Sequence, residues 1–283
     1  MSLPPIRYEP CVVSFIDVLG FKHLLGTAPA NEIYHVLNKL REFTRPEAEA
    51  AIRSMDEARL FSRAFAFVMS DAVVRVRPYN TQYRDGAFFW ELNDLLHAQI
   101  SLIGTGVVIR AGLTVGDAYV GIKGDGPLFG PALARAYQIE TEEAIYPRIV
   151  IDDHALAEHE RDPLLRSDND HDYEREMVGR FLATGEDGVR YLDYLRASRS
   201  EFETVTGWLR FLDSHASLIR RKRVEAKEAR VARKYEWLAR YHDGCVTELH
   251  DEIQRTASIA DEVYEDGVSW DVPAFVEGLF IRP

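Results

Sequence analysis

The sequence has 283 residues, of which 46% are hydrophobic and 28% are charged, a balance typical of a globular protein rather than a disordered chain. At about 150 residues per domain, this length allows one large domain or two ordinary ones. The formal net charge of −12 and a pI near 5.3 disfavour broad electrostatic binding to nucleic acid or to anionic lipid. We therefore expect neither nucleic acid nor a membrane as a partner.

Cysteine usage and hydropathy indicate the compartment. The two cysteines, Cys11 and Cys245, are too few for a disulfide framework and fit a reducing environment. The first residues lack a charged region followed by an apolar run, so no signal peptide is expected. No stretch approaches the roughly 18 consecutive apolar residues that a membrane-spanning helix needs. These features predict a soluble, acidic, cytoplasmic protein.

The first half of the chain alternates strand-like and helix-like segments. In chain order these are a strand at 11–18, a helix at 31–43, a charged helix at 47–59, a hairpin at 61–77, a helix at 88–103, strands at 106–120, a helix at 131–145 and a strand at 148–151. Asn31 is the expected N-cap of its helix. The hairpin is expected to turn at Ser70 and Asp71, and a second hairpin at Gly116 and Asp117.

The second half has a different pattern. Residues 152–176 are acidic and poor in apolar side chains, which predicts a loosely structured connector. Residues 188–195 predict one more strand, and the periodicity over 198–259 is helical. Within it, the run Arg220–Lys234 is nearly all charge and alanine, as on a solvated helix face.

This order of elements predicts the fold class. Strands mixed with crossover helices favour an α+β sandwich with helices on one face of a mainly antiparallel sheet. We expect this domain to span residues 9–152. Residues 153–283 would then form the acidic connector and a mainly helical C-terminal extension.

Two aspartates occupy matched positions in this scheme. Asp17 lies near the end of the first strand, in FIDVLGF, and Asp71 lies at the hairpin tip, in FVMSDA. If the strands are neighbours, the carboxylates converge, and such a pair is unfavourable unless a divalent cation joins it. Hard oxygen ligands select Mg²⁺ or Mn²⁺. The alternative is that each aspartate is an ordinary turn residue.

Two more motifs follow, VIRAGLTVG from Val108 and LFGPALARAYQIE from Leu128. In order and spacing, the four motifs resemble the catalytic domain of the class III nucleotide cyclases, the adenylate and guanylate cyclase family, over about residues 9–152. The resemblance implies the ferredoxin-like sandwich of that family. It also implies a homodimer with two equivalent sites, each taking its metal ligands from one chain and its late helix from the other.

The chain departs from that family at the positions that contact the base and stabilise the transition state. Purine-selective members have a lysine and an aspartate at the positions of Phe67 and Pro127. Their transition-state asparagine and arginine fall on Ala134 and Gln138, and their hairpin glycine falls on Ser70. With YPRIVID and the late KYEWLARYHD, these substitutions resemble the Pycsar cyclases, bacterial anti-phage enzymes that make cyclic pyrimidine nucleotides.

The resemblance implies attack of a 3′-hydroxyl on the α-phosphorus with loss of pyrophosphate, assisted by two Mn²⁺ or Mg²⁺ ions. Asp17 and Asp71 would be the shared metal ligands, with the Val18 carbonyl as a further oxygen. Arg135, on the face adjacent to Gln138, is the candidate for stabilising developing charge. Backbone amides after Asp17 would hold the phosphates. The residues expected to contact the nucleotide are Phe15, Leu19, Gly20, Phe21, Phe67 and Ser70.

The base preference follows from the same departures. Phe67 and Pro127 offer no hydrogen-bonding side chain to a base, and an aromatic ring narrows the pocket, which favours a pyrimidine triphosphate. We expect UTP and cyclic UMP, with CTP as the alternative, because uridylate cyclases are the commoner kind in the group the chain resembles. A separate effector would bind the product. The rival hypotheses are a purine cyclase, a catalytically silent signalling subunit and an interaction protein working through its C-terminal helix.

Other charged or glycine-rich features have simpler interpretations. Arg110 and Lys123 are expected to be structural, and His154 with Glu158 is expected to be solvated surface. The stretch 121–130 lacks the spacing of a phosphate-binding P-loop and is expected to be a connection.

Overall fold

The computed structural model describes residues 6–45, 60–120, 127–168, 171–255, 262–265 and 268–281. The helix expected over 47–59, Lys123 and most of the glycine-rich stretch lie outside these ranges. The chain divides into two compact units, Met1–Asp193 and Tyr194–Pro283. Among the described residues, no helix is both long and apolar enough to cross a membrane.

Helices and strands of the first unit alternate along the chain. They are β1 (Glu9–Val18), α1 (Phe21–Thr27), α2 (Ala30–Thr44), β2 (Phe65–Met69), β3 (Ala72–Pro78), α3 (Ala87–Gly104), β4 (Ile109–Ala118), α4 (Pro131–Gln138), a π-helical turn (Ile139–Glu143), β5 (Ile149–Ile151), α5 (Asp153–Arg161), α6 (His171–Arg180), β6 (Leu182–Thr184) and β7 (Arg190–Leu192). The strands form one sheet in the order β2-β3-β1-β4-β5-β7-β6. Only the β4–β5 pairing is parallel among the described strands. The prediction of an α+β fold with a mainly antiparallel sheet is confirmed.

Side-chain alternation along β1 separates the two faces of the sheet. Val13 and Phe15 join a buried apolar cluster with α4 residues such as Ala136. Ser14, between them, points to the opposite face and donates to Glu91 of α3. Helices therefore cover both faces, and the expectation of helices on one face is wrong. Side chains on both faces of β1 are buried, including Val12 and Ile16 on the face of Ser14, so other elements cover both faces of this strand.

Two local expectations for the first unit are wrong. Asn31 is not an N-cap, because α2 begins at Ala30 and the capping position is Pro29. Gly116 and Asp117 do not form a turn, because β4 runs through them and pairs with Cys11 and Pro10 of β1. The long partner strand supplies hydrogen bonds on to Ala118, and this pairing overrides the local turn preference.

The acidic segment 152–176 is not a loose connector. It contains α5, a short 3₁₀ turn at Pro163–Leu165 and most of α6. Its few apolar side chains, Leu156 and Leu165 among them, are buried. The strand expected over 188–195 is β7, which pairs with β5 and β6. The first compact unit therefore continues past residue 152, the expected end of the catalytic domain.

The second unit is mainly helical, as the periodicity over 198–259 predicts. Its elements are α7 (Tyr194–Ala197), α8 (Val205–Glu225), α9 (Ala229–Arg255), β8 (Glu262–Glu265), β9 (Val268–Asp271) and α10 (Val272–Leu279). Buried apolar side chains of α8 and α9, such as Leu212 and Leu238, form its core. Two histidines, His215 and His242, are also fully buried in this unit.

Candidate active site

The sheet register brings Asp17 and Asp71 together. Asp17 is opposite Ala72 in the antiparallel β1–β3 pairing, and Asp71 directly precedes Ala72. The Val18 amide donates to the Asp71 carbonyl at 3.2 Å, which ties the hairpin tip to the end of β1. Ser70 has a φ of 58°, the left-handed conformation that a two-residue hairpin requires. The turn therefore presents Asp71 beside Asp17.

The carboxyl group of Asp17 is in an unfavourable electrostatic environment. Burial raises its pKa, and so does the nearby Asp71 carboxyl, which lies within hydrogen-bonding range. Arg110 opposes these effects, but the pKa of Asp17 remains above its ordinary value. A cation between the two carboxylates would reverse this imbalance.

Arg110 contacts the Asp17 carboxylate, although it was not among the site residues predicted from the sequence. It is opposite Asp17 in the β1–β4 pairing, and its Nε and Nη2 donate to Asp17 Oδ2 at 3.3 and 3.2 Å. Its Nη2 also lies 2.6 Å from Oε1 of Glu140, a carboxylate that is 2% exposed. The structural role expected for Arg110 did not include contact with Asp17. The available signal in the sequence was the spacing of Arg110 and Gly112 in the motif VIRAGLTVG.

An apolar cavity of about 480 Å³ lies on the same face of the sheet as Asp17. Phe15 and Met69, two positions before Asp17 and Asp71, are in its wall, and Phe15 packs edge-on against Tyr137 with ring centroids 5.2 Å apart. Among the residues that the structure describes, the lining is Phe15, Met69, Leu128, Phe129, Gly130, Leu133, Ala134 and Tyr137. Aromatic walls beside paired carboxylates suit a ligand with a flat ring and an anionic group that binds a cation.

Phe67 is a predicted nucleotide contact, whereas Pro127, Ala134 and Gln138 are positions at which the sequence departs from the family that it resembles. Phe67 is half-buried on β2 and packs against the cluster that contains Phe15. Pro127 is exposed, and Ala134 lines the cavity. Gln138 is exposed and donates to Glu142 at 2.9 Å. None of these side chains supplies a charge to the cavity.

One expected phosphate-binding amide is already engaged. The Leu19 amide donates to the Val108 carbonyl at 2.8 Å, because the β1–β4 ladder continues one residue beyond β1. Leu19 therefore cannot give this hydrogen to a phosphate. Gly20, with a φ of 81°, and Phe21 at the start of α1 remain candidates. Val18 is buried at the last position of β1.

Arg135 is held by other carboxylates. Its Nε and Nη2 donate to Asp152 at 3.0 and 3.1 Å, and its Nη1 lies 2.8 Å from Glu143. Among the described residues, its ion pairs are with these two carboxylates and not with the aspartate pair. The structure does not bring Arg135 together with Asp17 and Asp71 within one chain.

The number and type of possible ligand side chains decide whether a metal ion fits this site. Within the described ranges, no group of three or more His, Cys, Asp or Glu is arranged to hold a metal. Mg²⁺ is commonly held by one or two carboxylates together with substrate phosphates, rather than by a cage of protein ligands. Asp17 and Asp71 fit that open type of site, in which the substrate completes the coordination.

Comparison with known proteins gives structural similarities only. No family model matches the chain, and no curated protein matches it. A bacterial light-regulated adenylyl cyclase is 14% identical over 54% of this chain and 46% of its own, with a TM-score of 0.41. The guanylyl cyclase domain of the RhoGC fusion protein from the aquatic fungus Blastocladiella emersonii is 17% identical over 66% of this chain and 96% of that domain, with a TM-score of 0.40. A class III adenylyl cyclase-like ATP-binding protein from Pseudomonas aeruginosa is 15% identical over 69% and 41%, with a TM-score of 0.40. The chain therefore spans less than half the length of the first and the last of these proteins.

Proposed function

We propose that this protein is a nucleotide cyclase that converts a nucleoside triphosphate into a 3′,5′-cyclic nucleotide and pyrophosphate. The observation that carries the proposal is the convergence of Asp17 and Asp71, each two positions after a residue, Phe15 or Met69, that lines an apolar cavity with aromatic walls. The carboxylates would hold the Mn²⁺ or Mg²⁺ ions, and the cavity would receive the base.

Each residue of the site has a defined task in this reaction. Asp17 and Asp71, with the Val18 carbonyl, would hold the divalent ions, which would supply a lowered pKa of the attacking hydroxyl and neutralisation of the triphosphate. The Gly20 and Phe21 amides orient phosphate oxygens at the start of α1. Once a second copy covers the cavity, the ring of Phe15 and the apolar wall would exclude water from the reacting centre.

We propose a pyrimidine triphosphate as the substrate, and UTP before CTP. Support comes from the described residues of the cavity lining, none of which has a charged or amide side chain for the edge of a purine. Phe67 lies on the same sheet face and packs against the cluster that contains Phe15, but it is not among the described residues that line the cavity. Cyclic UMP would then act as a second messenger in anti-phage defence, read by a separate effector.

The proposed enzyme works as a homodimer. Several apolar side chains at or beside the cavity rim are exposed: Val68 is 48% exposed, Met69 47%, Phe129 39% and Tyr137 53%. A second copy covering this rim would bury them and close the cavity. It would also allow Arg135 of one chain to approach the carboxylates of the other, once released from Asp152.

One observation favours a second candidate, a nucleotide-binding signalling protein without turnover. The Arg135 guanidinium is neutralised by Asp152 and Glu143, and Ala134 has no donor for the transition state. In this alternative, the carboxylates and the cavity bind a metal-nucleotide complex, but developing charge is not stabilised.

An assay with all four ribonucleoside triphosphates at equal concentration and Mn²⁺ separates these functions. Cyclic UMP with stoichiometric pyrophosphate is the expected result. Dominant cyclic CMP would change only the choice of pyrimidine, whereas dominant cyclic AMP or cyclic GMP would contradict the pocket argument. Binding of a triphosphate without any product would favour the signalling protein.

A further inference from the structure

Arg110 contacts two carboxylates that belong to different elements. Its Nε and Nη2 both donate to the same oxygen of Asp17, Oδ2, so Arg110 does not engage the other oxygen, Oδ1. Its Nη2 also reaches Glu140 Oε1 at 2.6 Å, and its Nη1 donates to the Glu140 backbone carbonyl at 3.4 Å. The planar guanidinium is therefore fixed from two sides.

Glu140 reaches this position because of the π-helical turn Ile139–Glu143 that follows α4. Its backbone lies directly over β4, where Gly112 leaves room. A Cβ at Gly112 would stand 2.8 Å from the Glu140 nitrogen and 2.7 Å from the Ile139 Cβ. A glycine two residues after Arg110 thus allows the Glu140 side chain to approach the guanidinium.

Resting on the proposed function, we propose that Arg110, held in place by Glu140, is a positioning residue that orients the Asp17 carboxylate toward the divalent cation. Arg110 holds Oδ2, and Oδ1 would then be left for the cation. Glu140 fixes the guanidinium in this arrangement and is not itself a metal ligand. Partners that orient ligating carboxylates in this way typically change metal affinity by about 10–100-fold when they are removed.

A double variant tests the pair without leaving the buried Glu140 carboxylate charged and deprived of Arg110. Arg110→Gln alone would leave the buried Glu140 carboxylate without its main ion-pair partner, which is destabilising in itself. Arg110→Gln combined with Glu140→Gln removes one positive and one negative charge and keeps similar side-chain volume. Mn²⁺ affinity, measured by calorimetry on the full chain, is expected to fall about 10–100-fold in the double variant.

Arg110→Lys is the second variant, for the case in which the double variant does not fold. A lysine keeps the charge beside Glu140 but cannot hold Asp17 Oδ2 through two N–H groups at once. We expect it to bind Mn²⁺ at least about tenfold more weakly than the wild type, with an unchanged thermal midpoint in the metal-free state.

The matched control is the pair Arg148 and Asp187, another buried arginine with a carboxylate partner, at 2.6 Å, in the same unit. Arg148→Gln with Asp187→Asn is expected to lower stability but to leave Mn²⁺ affinity unchanged. Wild-type affinity in a folded Arg110 variant would overturn the inference and leave the proposed function standing. Absence of Mn²⁺ binding by the wild type would overturn both.

Discussion

Two clusters of buried charge in the first unit differ in how their charges are balanced. On the α3 side of the sheet, Arg75 and Arg77 each contact both Glu91 and Asp94, so two guanidiniums meet two carboxylates. At the end of β1, the single guanidinium of Arg110 is shared between Asp17 and Glu140, and Asp71 adds a third carboxylate.

The two carboxylates at the centres of these clusters respond in opposite directions. Burial raises the pKa of both, but Arg75 and Arg77 bring the pKa of Glu91 below its ordinary value. The pKa of Asp17 stays raised, because burial and Asp71 outweigh Arg110. In the balanced Glu91 cluster the positive and negative charges are equal in number, and their ion pairs stabilise the fold. At the unbalanced Asp17 site the carboxylates outnumber the guanidinium, so binding of an external cation would stabilise the site.

The largest expected effect is on turnover when the unbalanced site loses a carboxylate. Asp71→Asn removes a metal ligand and should lower the rate of cyclic nucleotide formation at least about 1,000-fold, equivalent to about 4 kcal/mol of activation free energy. The measurement is product formation at saturating Mn²⁺. Asp117→Asn, at an exposed position near the other end of β4, is the control and should retain activity. Retained activity in Asp71→Asn would contradict the two-carboxylate site.

The balanced cluster should show its effect in stability. Glu91→Ala leaves Arg75 and Arg77 buried with only Asp94 as a carboxylate partner, and should lower the free energy of unfolding by about 3–5 kcal/mol. Urea unfolding with and without Mn²⁺ measures this loss, which should be independent of the metal. The exposed pair Lys39–Glu42 provides the control, because Glu42→Gln should change stability by less than about 1 kcal/mol. A small loss of unfolding free energy in Glu91→Ala would contradict the view that ion pairs in this cluster stabilise the fold.

Buried histidines provide a third way of burying polar groups, without ionisation. Tyr194 Oη lies 2.7 Å from His215 Nε2, the two Nδ1 atoms of His215 and His242 are 3.0 Å apart, and His242 Nε2 lies 3.2 Å from the Leu279 carbonyl. The carbonyl only accepts, so two neutral rings satisfy every contact if His242 Nε2, His215 Nδ1 and the tyrosine hydroxyl donate. A proton added to either ring would replace an acceptor by a donor and break this series of hydrogen bonds.

The pH dependence of the second unit follows from this arrangement. Burial lowers the pKa of His242 to about 4, and burial together with His242 lowers the pKa of His215 well below 6.5. As pH falls from 6.5 toward 4, the unfolded chain binds protons that the folded chain does not. Stability should therefore fall by up to about 1.4 kcal/mol per pH unit for each histidine.

Urea unfolding followed by tryptophan fluorescence reports this slope, since Trp208, Trp237 and Trp270 belong to the second unit and only Trp90 to the first. Replacing both histidines, His215→Gln with His242→Gln, should flatten the slope. An unchanged slope would show that other groups carry the pH dependence.

The smallest expected effect concerns the close approach of the π-helical turn to β4. Gly112→Ala places a Cβ against the Glu140 backbone and should destabilise the fold by about 1–3 kcal/mol. Gly104→Ala, where a Cβ meets no atom within 4 Å, is the comparison and should be near neutral. Equal thermal midpoints for the two variants would contradict the tight contact.

The sequence was informative where local patterns determine structure. Alternation and turn residues predicted β1, the hairpin at Ser70 and Asp71, α3 and the helical second unit. The convergence of the two aspartates was conditional on their strands being neighbours, and that condition is met by the β1–β3 register. The helices within 152–176 were missed because their few apolar side chains find partners only in the folded unit. The bridge from Arg110 to Glu140 was missed because it depends on a π-helical turn and a long-range register, neither of which has a local signal.

The central claim, that the unbalanced site takes a divalent cation, is tested most directly by thermal unfolding of the wild type and of Asp71→Asn, each with and without Mn²⁺. Without metal, we expect Asp71→Asn to be at least as stable as the wild type, because the variant removes repulsion with Asp17. With Mn²⁺ at 100 times its dissociation constant, the wild type should gain about 2.7 kcal/mol and the variant far less, so that the order reverses. Equal stabilisation of both proteins by Mn²⁺, or a metal-free variant less stable than the wild type, would contradict the claim.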